Sequence, residues 1–292
     1  MRVKDHFSHF VEYLKQKNYA RSSVENYKII IRDALLPAIG DIKLENLHIT
    51  DTAKVIEEGG KHGQFGALRA VSALRQYLKY LKDNGHRLPF DWRDLNLPHV
   101  PQKEVEYLTA DDIAMIRSVL DNDIHNFYDV RLRALFEILL DTGLRISEVL
   151  SLNKSDIDWE SKEAEVMNAK TKEREKVYFT DRSLYWLKRY LDARNDNWEP
   201  LFTGTVGKKL TPCSARNYLR EFRKKLTLNK QLKHQLLRKT FVTMLIQKGA
   251  DIKTVQYLAR HKSPRTTLRS YAAIDKERAK EVHQRLLGEE KV

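Results

Sequence analysis

The hydrophobic pattern of this 292-residue chain is interrupted by a proline-bearing stretch, LNLPHVPQKEVE, at residues 95–106. Proline lacks a main-chain N–H and biases the preceding residue towards an extended conformation, so a helix does not continue through this stretch. The interruption predicts two domains, at residues 1–95 and 107–292, joined by an extended linker at residues 96–106. A chain of this length can form a hydrophobic core in each of them.

The segment before the linker has the periodicity of helices. Apolar residues recur every three or four positions in residues 7–14, which predicts a helix with one buried face. Ser22 and Glu25 have the spacing of a capping box and predict the start of a second helix. A third helix is predicted from Gly66 to Asn84. The sequence therefore indicates an all-helical N-terminal domain.

The segment after the linker is predicted to be mainly helical with a small β-hairpin or sheet. Thr109 and Asp112 form a second capping-box pattern, and Gly143 has the place of a helix C-cap. The runs EAEVMN and KVYF flank the polar AKTKERE and predict the hairpin. Helices are predicted at residues 110–122, 127–141, 181–194, 212–227, 234–248 and 251–259, and again after Ser263.

The composition is that of a globular chain that does not enter a membrane. Hydrophobic residues make up 41% and charged residues 32%, and no apolar run approaches the roughly 18 residues of a membrane-spanning helix. The N-terminal sequence lacks the apolar core of a signal peptide. Cys213 is the only cysteine, which excludes a disulfide framework and a cysteine-based zinc site. We therefore expect a cytoplasmic protein.

Positive charge is concentrated late in the chain. The net charge is +13, and residues 201–270 contain 17 lysines and arginines against only Glu221 and Asp251. This segment therefore carries the whole excess. A local excess of this kind predicts binding of a polyanion, either DNA or RNA. A membrane surface is the weakest candidate, because no amphipathic helix or lipidation signal accompanies the charge.

Two arginines have neighbours that suit an anion site. Arg145, in DTGLRISEVLSL, follows a glycine at a predicted helix start, where main-chain N–H groups and a guanidinium can both bind an anion. Arg238 is interleaved with the apolar residues of KHQLLRKTFVTMLIQKG, and His234 and Gln235 lie one turn before it. Taken singly, each arginine is more simply interpreted as a surface or ion-paired residue.

The stretch IKTVQYLARHKSPRTTLRSY contains His261 and, ten residues later, Tyr271. Ser263 and Pro264 suit the N-cap and the first position of a helix. A helix-turn-helix, with its second helix in the major groove of DNA, accounts for the positive charge of this stretch. It does not account for Arg145 or for the lysine-bearing hairpin.

Taken in order, TGLRISE, LRKTFVT and HKS followed by TT and a tyrosine resemble the motifs of the tyrosine recombinase family, which includes phage integrases and Xer-like recombinases. The resemblance extends over the whole chain. It implies a two-domain DNA clamp, with a helical core-binding domain ahead of a catalytic domain that contains a small sheet. The catalytic residues that it implies are Arg145, Lys170, Gln235, Arg238, His261 and Tyr271.

The sequence departs from the family pattern beside the second arginine. The family usually has His-x-x-Arg, whereas here Gln235 stands three residues before Arg238 and His234 stands four before it. Glutamine can donate a hydrogen bond but cannot hold or transfer a proton. Either His234 serves instead, or the enzyme dispenses with this proton-transfer group.

Three further positions follow from the same motifs. Glu148 matches the acidic residue of the first motif and is expected to support the arginine before it. Lys170 best matches the lysine of the hairpin, and Lys172 is the alternative. Arg260 stands where the family motif LGH has glycine, so the turn before His261 is a second departure from the family pattern.

The resemblance implies that DNA is cut and rejoined through a covalent intermediate. The two arginines and the histidine would stabilise charge on the phosphate, as cationic clamps do in phosphoryl transfer. Tyr271 would attack to form a 3′-phosphotyrosyl bond, and Lys170 would protonate the leaving 5′ oxygen. The bond energy is kept, so no ATP, metal ion or other cofactor is needed, and the sequence contains no acidic metal cluster.

The partners implied are double-stranded DNA with a specific core site and further copies of this chain. Two protomers would bind each site, and a tetrameric synapse would exchange the strands. The tail after Tyr271 would pack on a neighbouring protomer, although a terminal helix packed on its own chain fits the sequence equally well.

The predicted function is site-specific recombination of the Xer or resolvase type, in integration, excision or resolution of a mobile element or replicon. The same chemistry without synapsis would be that of a type IB-like topoisomerase. The alternative from another class is a non-catalytic DNA-binding protein, either a helix-turn-helix regulator or a recombinase-derived accessory factor.

Overall fold

The computed structural model describes residues 1–101, 105–167, 173–194, 196–204, 208–268 and 270. The chain divides into two compact units, Met1–Lys103 and Glu104–Val292. Each unit has its own cluster of buried apolar side chains. The described residues are mainly helical with one small antiparallel sheet, so the predicted fold class of helices with a small sheet is confirmed.

The N-terminal unit is built from helices. They are α1 (Phe7–Gln16), α2 (Arg21–Ile30), α3 (Leu36–Ile39), α4 (Thr52–Gly60) and α5 (Gly66–Asp83), with a π-helical turn at Ile31–Leu35. The predicted capping box of Ser22 and Glu25 is wrong, because α2 begins at Arg21 and its N-cap is Ala20, two residues before Ser22. The Glu25 carboxylate accepts a hydrogen bond from Lys28 instead.

Helix α5 supplies much of the core of this unit. Phe10 of α1 is fully buried, and its ring lies 5.3 Å from the ring of Tyr77 and 5.4 Å from that of Tyr80. The Tyr77 hydroxyl donates a hydrogen bond to the main-chain oxygen of Val3. The hydroxyl of a buried tyrosine usually has a hydrogen-bond partner, and here that bond attaches the N-terminal turn to α5.

The C-terminal unit surrounds one buried helix. Its elements are α6 (Ala110–Asn122), α7 (Phe127–Thr142), α8 (Ile146–Val149), β1 (Ile157–Asp158), β2 (Glu163–Met167), β3 (Arg174–Tyr178), α9 (Asp181–Asp192), α10 (Pro212–Arg223), α11 (His234–Gln247) and α12 (Ile252–Leu258), and residues 264–268 are also helical. Helix α7 is buried along most of its length and packs against α9 and α11. The capping box of Thr109 and Asp112 is present at the start of α6.

The sheet has the order β1-β2-β3, with antiparallel neighbours. The predicted hairpin is present as β2 and β3, and β1 adds a short strand that the sequence did not predict. Ala164, Val166 and Val177 point into the core, while the residues between them are exposed or half-buried. Because Val166 pairs with Glu175, the side chain of Glu175 shares the face of the sheet that covers the protein interior.

Helix α7 ends at Gly143, whose φ of +57° lies in the left-handed region that favours glycine. A Cβ atom at this position would lie 2.3 Å from Cδ1 of Phe241. The absence of a side chain therefore lets α11 approach the turn between α7 and α8. This approach places Arg238 beside Arg145. No helix among the described residues is both long enough and apolar enough to cross a membrane.

Candidate active site

Arg145 is the N-cap residue of α8 and is held by Glu148. Its Nη1 atom donates to Oε1 of Glu148 at 2.7 Å, and its main-chain N–H donates to Oε2 at 2.8 Å. Burial alone would raise the pKa of Glu148, but these hydrogen bonds and the charge of Arg260 outweigh it and lower the pKa. The carboxylate is 2% exposed and the Arg145 side chain 36% exposed, so Glu148 orients a guanidinium that solvent can still reach.

Arg238 connects two segments of the unit. Its Nη1 atom donates to the main-chain oxygen of Gly143, and its Nη2 atom donates to that of Ala259. Burial, together with the positive charges of Arg145 and Arg260, lowers the pKa of Arg238 to about 10. The group stays protonated at neutral pH, and its environment makes an added negative charge favourable.

His261 follows α12 and is packed among the same cations. Its Nδ1 atom lies 2.9 Å from Oγ1 of Thr267 in the following helical turn. Burial and the charges of Arg238, Arg145 and Arg260 lower its pKa to about 4. The imidazole is therefore neutral at physiological pH.

Arg260 completes the cluster, a role that its place as a departure from the family motif did not predict. Its side chain is 3% exposed, its Nη2 atom donates to Oε2 of Glu148 at 3.2 Å, and its Nε atom lies 3.6 Å from Oε2 of Glu175 in β3. The signal that could have identified it is an arginine at a position that requires a left-handed backbone. A non-glycine residue in this conformation points to a role for its side chain.

The assembled site is a cationic cluster around a neutral imidazole. Three guanidinium groups, of Arg145, Arg238 and Arg260, act electrostatically on His261, and the negative charges acting on Arg238 belong to Glu148 and Glu175. The mutual repulsion of the guanidiniums is relieved when an anion binds. Phosphate fits best, because arginine forks match its oxygens in pairs.

An open cleft of about 290 Å³ lies beside His261 and Arg260. The other residues that line it are Glu175, Lys176, Lys253, Gln256 and Tyr257. Most of the lining side chains are polar or charged, as expected for a surface that meets a hydrated polyanion. Within the part of the chain that the structure describes, no group of histidine, cysteine, aspartate or glutamate residues has the arrangement of a metal site.

Comparison with known proteins identifies the family. The sequence model of the Phage integrase family matches residues 106–278, which is more than half of the chain. The chain belongs to the phage integrase family. The match contains Arg145, Arg238 and His261, so the three residues that the fold brings together all lie in the segment that defines the family.

The relatives in this family include recombinases of known name. Tyrosine recombinase XerC of Leptospira interrogans is 27% identical over 284 residues, which cover 94% of this chain and 91% of the relative. Tyrosine recombinase XerC of Escherichia coli O157:H7 is 30% identical over 204 residues, which cover 69% of this chain and 67% of the relative. The resemblance inferred from the motifs is therefore confirmed.

Solved structures of integrases share the fold. The Tn1549 transposon integrase, in complex with transposon right end DNA, superposes with a TM-score of 0.76 at 18% identity and covers 99% of this chain and 100% of that one. A lambda integrase dimer bound to a COC′ core site gives a TM-score of 0.76 at 17% identity, covering 92% and 77%. At this level of identity the likeness establishes the phage integrase fold.

The structure places the two candidates beside Arg238 in different surroundings. Gln235 lies in the first turn of α11 and is exposed. His234 is half-buried, and burial together with the charge of Arg216 in α10 lowers its pKa. Among the described residues, no hydrogen-bond partner is found for the buried Nδ1 atom of His234. His234 is thus influenced by α10, whereas Gln235 faces solvent.

Three predicted site residues lie outside the described residues. They are Lys170 and its alternative Lys172, in the connection between β2 and β3, and Tyr271, which begins the C-terminal segment 271–292. The structure describes the chain on either side of that connection, at Met167 and Arg174, and ends its description at Ser270. The roles of these residues in the phage integrase chemistry therefore remain predictions from the sequence.

Proposed function

We propose that this chain is a site-specific DNA recombinase that cuts and rejoins strands through a covalent bond between Tyr271 and the 3′ phosphate. The observation that carries the proposal is the convergence of Arg145, Arg238 and His261, which come from three separate segments. A repressor needs no such arrangement, because sequence-specific binding uses contacts spread along the DNA.

The cluster is suited to a phosphodiester under attack. The guanidiniums of Arg145 and Arg238 bind the two non-bridging oxygens and stabilise the charge that develops on them. Nδ1 of His261 lies 2.9 Å from the Thr267 hydroxyl, and in the tautomer in which Nδ1 accepts from that hydroxyl the proton of the neutral ring is on Nε2. His261 then donates a third hydrogen bond to the phosphate.

Tyr271 and Lys170 supply the bond-making and proton-transfer steps. The hydroxyl oxygen of Tyr271 attacks phosphorus, the bond from phosphorus to the 5′ oxygen breaks, and that oxygen takes a proton from Lys170. Gln235 cannot take the tyrosine proton, so the proton passes to water or to His234. Attack by a second 5′-hydroxyl reverses the step, so neither ATP nor a metal ion is consumed.

We infer that double-stranded DNA is the partner and that copies of the chain assemble on it. Lambda integrase has been solved as a dimer on a core site and as a tetramer on a Holliday junction. The N-terminal helical unit then has the role of a core-binding domain and residues 107–292 that of the catalytic domain. Resolution of a replicon and integration of a mobile element both fit this chemistry, and the likeness to the Tn1549 transposon integrase favours integration.

A suicide substrate tests the proposal. The core site is first selected from random duplexes by binding to the Tyr271→Phe variant, and a duplex with that site is then nicked so that the cleaved end diffuses away. We expect wild type to form a denaturation-resistant protein–DNA adduct in EDTA, and Tyr271→Phe to bind without forming it. Tyr257→Phe is the matched control, because Tyr257 is an exposed tyrosine that lines the cleft beside His261.

The other outcomes separate the alternatives. Binding by all three proteins with no adduct would identify a non-catalytic DNA-binding protein. An adduct that persists in Tyr271→Phe and is lost in Tyr257→Phe would identify Tyr257, and not Tyr271, as the nucleophile. Relaxation of supercoiled DNA of any sequence, without exchange between sites, would identify a topoisomerase-like activity.

A further inference from the structure

Arg260 occupies a turn that normally selects glycine. The N–H of Arg260 donates to the oxygen of Tyr257, and the N–H of His261 donates to that of Gln256. These two bonds define a Schellman motif at the end of α12, with Arg260 at its left-handed position. Its φ is +51°, and arginine is not among the residue types enriched in that region.

The side chain at this position connects two other segments. Glu148, which holds Arg145, receives a hydrogen bond from Arg260 at 3.2 Å, and Glu175 of β3 lies 3.6 Å from the Nε atom of Arg260. A guanidinium is planar and has donors on both edges, so one group can hydrogen-bond Glu148 and form an ion pair with Glu175 on its other side. Lysine, with one point charge, lacks this geometry.

We propose that Arg260 is a positioning residue that braces strand β3 against the Arg145–Glu148 pair and against the turn that presents His261. This inference rests on the proposed recombinase activity. Strand β3 begins at Arg174, directly after the connection that contains Lys170 in the sequence. The brace therefore fixes the origin of that connection relative to the residues that bind the phosphate.

Loss of the Arg260 contact should slow the departure of the 5′ oxygen. Without this contact the phosphate still binds Arg145, Arg238 and His261. Strand β3, which follows the connection containing Lys170 in the sequence, loses its fixed position. A displacement of about 1 Å can lower a rate by roughly 100-fold. The binding of DNA, which depends on many phosphate contacts, changes little.

The test is Arg260→Gly, because glycine favours the left-handed turn and the variant removes only the side chain. Single-turnover cleavage at saturating DNA is measured on two suicide substrates, one ordinary and one with sulfur in place of the bridging 5′ oxygen. A thiolate leaves without taking up a proton near neutral pH, so the sulfur substrate does not need the acid. We expect Arg260→Gly to be about 10- to 100-fold slow on oxygen and to have a clearly smaller defect on sulfur.

Two further variants examine the contact itself. Glu175→Gln should reproduce a large part of the oxygen defect, and adding it to Arg260→Gly should slow cleavage no further, because both changes break one contact. Arg260→Lys should fall between wild type and Arg260→Gly. Arg194→Met is the control for loss of a buried ion pair, since Arg194 is paired with Asp196. It should lower the melting temperature without changing the oxygen-to-sulfur rate ratio.

Three results would overturn the proposal: equal defects on both substrates, additive effects of the Arg260 and Glu175 changes, or full activity of Arg260→Gly on oxygen. Failure of the proposed function is distinguishable from these, because wild type itself would then form no adduct on either substrate.

Discussion

Replacement of Gly143 by alanine should destabilise the C-terminal unit by about 2–5 kcal/mol. Gly143 has a φ of +57°, where an L-residue with a Cβ atom costs roughly 1–2 kcal/mol. The added Cβ would lie 2.3 Å from Cδ1 and 2.9 Å from Cε1 of Phe241. Forcing a methyl group into such a packed position typically costs a further ~1–3 kcal/mol.

Urea unfolding of the full chain measures this cost, followed by the fluorescence of tryptophans 159, 186 and 198 in the C-terminal unit. The same substitution in a Phe241→Ala background should cost only about 1–2 kcal/mol, because the ring is gone and the backbone term remains. Gly204→Ala is the matched control, since its added Cβ would meet no atom closer than 3.5 Å. An equal cost of Gly143→Ala in both backgrounds would refute the role of the ring.

Two further predictions concern buried charge. Arg133 is 1% exposed and is paired with Glu137, which Arg117 also holds at 2.7 Å, so Arg133→Met leaves the carboxylate with one of its two partners. The unfolding free energy of the C-terminal unit should fall by about 1–3 kcal/mol in the same urea assay, and no measurable loss would contradict this. The pKa of His261 is about 4 in the folded chain, whereas its usual value is 6.5. Between pH 6.5 and 4 the unfolded chain therefore binds a proton that the folded chain does not, so the free energy of unfolding falls as the pH is lowered. Solvent screening of this half-buried ring limits the loss of unfolding free energy to about 1 kcal/mol between pH 7 and 5. In His261→Gln this pH-dependent loss should be absent.

The parts of the fold that the sequence predicted depend on local signals. Thr109 and Asp112 satisfy each other's main-chain N–H groups at the start of α6, and Gly143 supplies the left-handed residue at the end of α7. Both signals need only a few neighbouring residues. Strand β1 and the π-helical turn at Ile31–Leu35 have no such signal, because pairing with β2 and packing on α4 and α5 decide them.

Ser22 illustrates a signal that was present and misleading. The spacing of Ser22 and Glu25 suits a capping box, but α2 begins before Ser22 and Glu25 forms an ion pair with Lys28 along the helix. Serine and glutamate are common on exposed helix surfaces, so the pattern also occurs within helices. Packing of Val24 and its apolar neighbours stabilises α2, which has no side-chain hydrogen bond at its N-cap.

For the candidate site, the motifs identified which residues to examine but not how they are held. The order of Arg145, Arg238 and His261 in the sequence says nothing of the hydrogen bonds from Arg238 to the main-chain oxygens of Gly143 and Ala259. Those bonds depend on the approach of α11 to two separate turns. The burial of His234 beside Arg216 likewise depends on how α10 packs, which the local sequence does not encode.

One turn determines the position of three parts of the site. The Schellman motif after α12 places the Ala259 oxygen where Arg238 donates to it, directs the Arg260 side chain to Glu148, and sets His261 at the next position. Like charges brought together in this way destabilise the free protein, and a bound phosphate removes that penalty. The same feature therefore lowers the stability of the free chain and favours an anion bound at the cluster. Selection for activity can retain an arginine in a glycine conformation for this reason, although selection for stability alone would replace it.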